Sequence, residues 1–249
     1  MIDPVSGEHV NDRPSRGPAT TRLPLLLPGT LSDEQLAVYE AVTGGPRGTG
    51  SARTTPSPED DDPDSPAAGP AAEPPFGLAD ESGRLLGPFN AMLYSPSVGL
   101  PLQDLGAALR FRTAFTKRER EIATLVVAAH LRSDFEWYAH ERIGRRAGLA
   151  DGEMDALREG RAPMLADVRE RVVYEATRQL VADGDLADAV FTEAATTLGR
   201  VAVVELVTLV GYYRALALQL RVFRVGVPDG EPAPEWPAAG GRATEDGHE

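Results

Sequence analysis

An all-α fold is expected from this sequence on three observations. Apolar residues recur at helical spacing through most of the chain after residue 100. Ser/Thr-x-x-Glu pairs stand at the head of two of those runs, as helix-capping boxes do. No segment alternates apolar and polar residues in the manner of a half-buried strand. At 249 residues and 42% hydrophobic content the chain can build one large core or two small ones.

The elements follow in order. Residues 1–20 are polar and are expected to be a disordered tail. Residues 21–45, "TRLPLLLPGTLSDEQLAVYEAVTGG", read as an apolar strap and one helix packed on the main domain. Ser32 is its expected N-cap, Leu36, Val38 and Tyr39 are its burial candidates, and Gly44-Gly45 stop it. Residues 46–75 are rich in Pro, Gly, Ser and Asp and nearly free of large apolar side chains. Such a segment buries too little surface to offset its ordering entropy, so a disordered insert is expected.

The helical domain proper is placed at 76–227. Residues 81–99 read as a loop-rich lead-in with short apolar pieces. In 101–112, Leu102, Leu105, Leu109 and Phe111 fall at helical spacing. The helix 116–131 opens on the Thr116/Glu119 capping box and is apolar on nearly every face, which makes it central. Residues 133–146 form the next helix and Ala147-Gly148 end it. A short helix at 151–160 is expected to be capped by Asp151. An amphipathic helix at 164–184 would bury Leu165, Val168, Val172, Val173, Ala176 and Leu180. Helices at 185–199 and 200–224 complete the domain. From 228 to 249 the composition returns to Pro, Gly and acid, and a disordered tail is expected.

The net charge of −13 is unevenly spread. Residues 1–22, 46–75 and 228–249 hold 15 acids and 6 bases, whereas the rest holds 23 acids and 19 bases. The body shows no basic stripe, which speaks against nucleic acid as a partner. With no cysteine in the chain, disulfides, thiolate metal sites and cysteine nucleophiles are excluded. Residues 201–220 are long and apolar enough to span a bilayer. They contain Glu205 and Arg214, each costing about 2.5–3.5 kcal/mol at mid-membrane, so a buried core helix is the better reading. No secretory h-region begins the sequence. A cytoplasmic protein with no membrane association is expected.

The chemistry-bearing stretch is "SDFEWYAHERIGRRAG", residues 133–148. Ser133 and Glu136 form a second capping-box pattern, although a carboxylate at a helix start also suits acid/base work. Trp137, His140, Gly144 and Ala147 share one face, so His140 is either a satisfied core histidine or a general acid/base. Glu121 sits at the edge of the apolar run 122–129, where a free carboxylate is costly to bury without a partner. A buried glutamate and a nearby histidine tend to pair, with perturbed pKa values. His130, at the end of the central helix, suits interaction with the terminal carbonyls.

Taken from "GPFNAML" (87–93) through "TKREREIATLVVAAH" and "FEWYAHERIGRRAGL" to "VELVTLVGYYRALALQL", the sequence resembles the carboxymuconolactone decarboxylase family, which includes the alkylhydroperoxidase D-like proteins. The peroxidase branch carries a pattern E-x11-C-x2-C-x3-H. Its spacing lands on Glu121, Ser133, Glu136 and His140, with both cysteines replaced. Trp137 is similar to the tryptophan of the decarboxylase-like "EW..H". The resemblance covers roughly 21–45 and 81–227.

That resemblance implies an all-α bundle assembled as a homo-oligomer, trimer or hexamer, with sites at or near subunit interfaces. It implies cofactor-free proton transfer or decarboxylation on a small carboxylic acid or lactone, since the thiol peroxidase reaction has lost its cysteines. His140 would be the general acid/base. Glu121 would orient it or hold the relay proton. Glu136 would be a second acid/base or a positioning group. Ser133, Trp137 and Arg110 would contact substrate, Trp137 as a wall of the pocket and Arg110 as a cation at the end of the 101–112 helix. No metal or cofactor is called for. Two rival readings stand beside this one. Glu121, Glu136, His140 and His130 could ligate a metal between helices, although the i, i+4 spacing of Glu136 and His140 departs from the usual i, i+3 motif. The chain could also be a binding or scaffolding protein on the same fold.

Overall fold

Nine α-helices and one 3-10 turn carry the regular structure of residues 21–45 and 77–238, the residues described by the computed structural model. The tail expected at 1–20, the insert at 46–75 and the last residues of the chain lie outside them.

The strap ends in a 3-10 turn at Pro28–Thr30 and leads into α1, Asp33–Thr43. Ser32 and Gln35 cap it reciprocally, the Gln35 amide donating to Ser32 Oγ and the Ser32 amide to Gln35 Oε1. The buried pair is Val38 and Val42, while Leu36 is exposed against expectation. That outcome follows the i, i+4 face α1 turns to its neighbour, where Gln103 Nε2 donates to Ala41 O.

The lead-in expected at 81–99 is instead largely helical. Pro88 and Pro96 start α2 (Pro88–Tyr94) and α3 (Pro96–Phe111), in first-turn positions where a missing amide costs nothing. Pro101 then lies inside α3, where the amide it lacks forfeits a backbone bond. The buried face of α3 is Gly99, Gln103, Gly106 and Leu109, so Leu105 stays exposed. Small residues win that face because the approach is close: a Cβ on Gly99 would sit 2.2 Å from Met92 O.

The helix α4, Lys117–Leu131, is the hub, packed against α5, α6, α7 and α9. Its capping box forms as expected, and residues 121–128 are buried without interruption. Arg118 ties it to two neighbours by donating to Glu170 and Glu153, and Glu119 accepts from Arg169 at 2.7 Å. Around it lie α5 (Asp134–Arg146), α6 (Asp151–Arg158), α7 (Val168–Ala182) and α8 (Asp188–Thr197). Two starts differ from expectation. The α6 N-cap is Ala150, not Asp151, and its amide donates to Glu153 at 2.7 Å. Asp167 caps α7 by accepting from the amides of Arg169 and Glu170, which shortens the helix and leaves Val168 exposed.

The last helix, α9 (Arg200–Phe223), is long and apolar enough to cross a membrane by length and composition. Here it packs one face on α4, α7 and α8, through Leu206, Leu209, Val210, Leu216 and Leu220. Its two interior charges are engaged, Glu205 accepting from the Ala114 amide and Arg214 donating to Leu180 O. Residues 228–238 depart from the expected frayed tail. Trp236 Nε1 donates to Asp134 Oδ1 at 2.7 Å, and its ring meets Trp137 edge-on at 5.6 Å. One large aromatic supplies enough buried surface to dock an otherwise polar, proline-rich segment.

Candidate active site

Two adjacent helices supply the central pair. Glu121 lies on the second turn of α4 and His140 on the second turn of α5, and His140 Nδ1 stands 2.7 Å from Glu121 Oε2. Both are buried, Glu121 at 1% exposure and His140 at 8%. The pairing expected from sequence is therefore formed. A third helix closes the site, since the Tyr213 ring of α9 meets the imidazole edge-on at 5.0 Å. His140 Nε2 makes no hydrogen bond among the described residues, while the Nδ1 contact fixes the orientation of the ring.

The electrostatics favour an ionised Glu121. Burial alone would push its pKa up, but the charge and hydrogen bond of His140, with Arg110 and Arg120, bring it below the ordinary value. Arg120 Nε lies 3.8 Å from Glu121 Oε1, and both atoms are buried with no hydrogen bond. Burial depresses the Arg120 guanidinium, a cost offset in part by Glu121 and deepened by Arg110. Arg110 therefore does belong to the field of the pair. Its guanidinium also lies over the Phe111 ring, 5.6 Å from the centroid.

Glu136 and Ser133 do not form the expected capping box. Ser133 stands at the N-cap of α5 but its side chain caps nothing. The reason is local: α4 ends on a left-handed Arg132 (φ 49°), and the Ser133 amide is already donated to Ala128 O to close that end. Glu136 thus has no amide to reach back to. It is 3% exposed, and neither carboxyl oxygen has a hydrogen-bond partner. Burial pushes its pKa up to about 8, pulled back slightly by the nearby Ser133 hydroxyl. At neutral pH this is a neutral carboxylic acid one turn from His140.

Trp137 is in the core, and the ring it meets is Trp236. His130 is exposed at a 270 Å³ cavity that it shares with Tyr174, Arg178 and Trp236. Partial burial, together with Arg214, lowers its pKa. Among the described residues no three His, Asp or Glu side chains gather at metal-binding distances, so the set Glu121, Glu136, His140 and His130 does not converge. Sequence reasoning missed Arg120, Tyr213 and Trp236. Arg120 is masked by the charged first turn of α4. Tyr213 reaches the site only through the approach of a helix about 70 residues away.

Residues 96–179 match the carboxymuconolactone decarboxylase family, a span holding Arg110, Glu121, Ser133, Glu136 and His140. Among solved structures, the chain is similar to the alkylhydroperoxidase AhpD core of an uncharacterized peroxidase-related protein from Ralstonia eutropha JMP134. The two are 13% identical with a TM-score of 0.59, over 84% of this chain and 93% of that one, a likeness that speaks for the fold. No curated protein matches the chain.

Proposed function

The chain carries a carboxymuconolactone decarboxylase family domain on an alkylhydroperoxidase D-like fold, and from that premise we propose a cofactor-independent lyase or isomerase acting on a small carboxylic acid or lactone. The observation that carries the reading is the buried 2.7 Å contact between Glu121 and His140 Nδ1, which leaves Nε2 as the working nitrogen. In a decarboxylation the C–C bond to the carboxylate breaks and its electron pair passes into the conjugated carbonyl. Carbon dioxide leaves, and the Nε2 proton ends on the carbon. In an isomerisation the same nitrogen takes a proton from one carbon and returns it to another. Glu121 stabilises the imidazolium between these events, and Arg110 and Arg120 offset the charge of the enolate. Glu136, neutral at pH 7, is suited to donate a hydrogen bond or a second proton. Thiol peroxidase chemistry has no nucleophile here, because the chain has no cysteine.

We place the protein in the cytoplasm as a homo-oligomer, trimer or hexamer. An outward stripe on α9 supports self-association: Val201, Val204, Thr208, Gly211, Ala215, Leu218 and Val222 are all exposed and recur at alternating three- and four-residue steps. That is the spacing of a helix seam packed on another helix.

The test is a thermal-shift and turnover screen of small lactones, β-keto acids and aromatic acids on the wild type, His140→Ala and Glu121→Gln. A compound turned over by the wild type should lose at least about 100-fold in rate with His140→Ala. Equal turnover by a folded His140→Ala protein would refute the assignment. If no compound is turned over and His140→Ala changes only the melting temperature, the histidine is structural.

A further inference from the structure

The larger cavity, 840 Å³, lies between the N-terminal strap, the first turn of α5 and the C-terminal end of α9, and neither His140 nor Glu121 lines it. Its volume falls in the range of small-molecule sites, roughly 300–1,000 Å³. One wall is apolar, built from Leu86, Phe135 and Leu220. The strap that forms the opposite side is pinned, with the Arg22 amide donating to Phe223 O and Leu26 N to Asn90 Oδ1.

The polar lining includes two side chains whose donors have no acceptor. Arg224 is held by the left-handed end of α9 (φ 55°), and its side chain makes no hydrogen bond or ion pair among the described residues. Its Nε is buried. Ser133 lines the same cavity at 7% exposure, and its hydroxyl, beside the Glu136 carboxyl, makes no hydrogen bond of normal geometry. No side chain caps the amides that begin α5 at this point. Arg132 and Arg221 also line the space, each giving a guanidinium hydrogen bond to a backbone carbonyl, of Pro237 and Leu131. Two acids share the lining: Asp134, with one oxygen engaged by Trp236, and Asp229. Three arginines against two carboxylates leave the cavity cationic. A buried donor left unpaired is destabilising, and guanidinium, hydroxyl and helix-start amides share one preferred partner, an anionic oxygen.

We propose that this cavity binds an amphipathic organic anion, its carboxylate or phosphate head on Arg224 and Ser133 and its apolar body against Phe135 and Leu220, at a site separate from the Glu121–His140 pair. Isothermal titration of the full chain with decanoate, decyl phosphate and decanol tests it. At least one anion should bind tenfold or more tighter than decanol, and the preferred head group tells carboxylate from phosphate. Arg224→Gln should reduce anion binding to the decanol level, and raising the salt should weaken it. His140→Ala should leave it unchanged even where turnover is lost. Equal affinity for decanol and both anions, or no anion binding at all, overturns the proposal without any variant. So does full anion affinity in a folded Arg224→Gln protein, or loss of binding in a folded His140→Ala protein.

Discussion

Replacing Glu136 with glutamine changes one titration and almost no volume. The ordinary glutamate value is 4.5, and burial raises Glu136 to about 8. Between those pH values the unfolded chain has released this proton and the folded chain still holds it. The stability contributed by the buried acid is therefore whole below pH 4.5 and is lost as the pH rises through 8. The slope is about 1.4 kcal/mol per pH unit, on the order of 5 kcal/mol across the window and about 3 kcal/mol by pH 7. Against a typical total of roughly 5–15 kcal/mol this is a large effect. Glutamine does not titrate, and like the neutral carboxyl it buries a polar group without a partner, so what it changes is chiefly the pH-dependent part. The difference between the two stability curves should move in favour of Glu136→Gln as the pH rises from 5 to 8. Urea denaturation followed by circular dichroism at half-unit pH steps measures both curves. Every other titrating group is common to the two proteins and cancels in the difference. Parallel curves would refute the buried neutral acid and remove Glu136 from the acid/base scheme.

Two further outcomes are expected. Gly87→Ala should destabilise by about 2–4 kcal/mol, since its φ of 61° is strained for alanine and its Cβ would lie 2.2 Å from the Phe135 ring; a thermal melt unchanged within 1 °C would contradict the contact. The double variant Val204→Lys/Leu218→Lys, two exposed positions of α9, should lower the mass measured by light scattering while leaving the helical signal intact; an unchanged mass would mean that the stripe is not the seam.

Much of the fold was legible because its signals are local. The Thr116/Glu119 box, the apolar run that follows and the length of α9 need nothing beyond neighbouring residues, and the structure bears them out. Two of the misreadings come from competition for the same backbone groups or the same face. Ser133-x-x-Glu136 has the letters of a capping box, yet the serine amide is taken by the end of α4. The leucines of α3 have the spacing of a buried face, yet only Leu109 is buried; Gly99, Gln103 and Gly106 take the rest of that face, and at Gly99 the backbone of α2 comes too close for any side chain.

The sequence by itself determined all the helices but α2, the missing thiol and the spacing that sets Glu121 and His140 on two consecutive helices. Only the tertiary structure decided what those residues meet. It set the imidazole against Glu121 and Tyr213, and it brought Arg110 and Arg120 to bear on the same carboxylate. It also left Glu136 without a partner and hung Trp236 on Trp137. The physical reason is range. Helix formation is settled within four residues along the chain, whereas burial, field and pairing depend on side chains that only the packing of distant helices brings within a few ångströms.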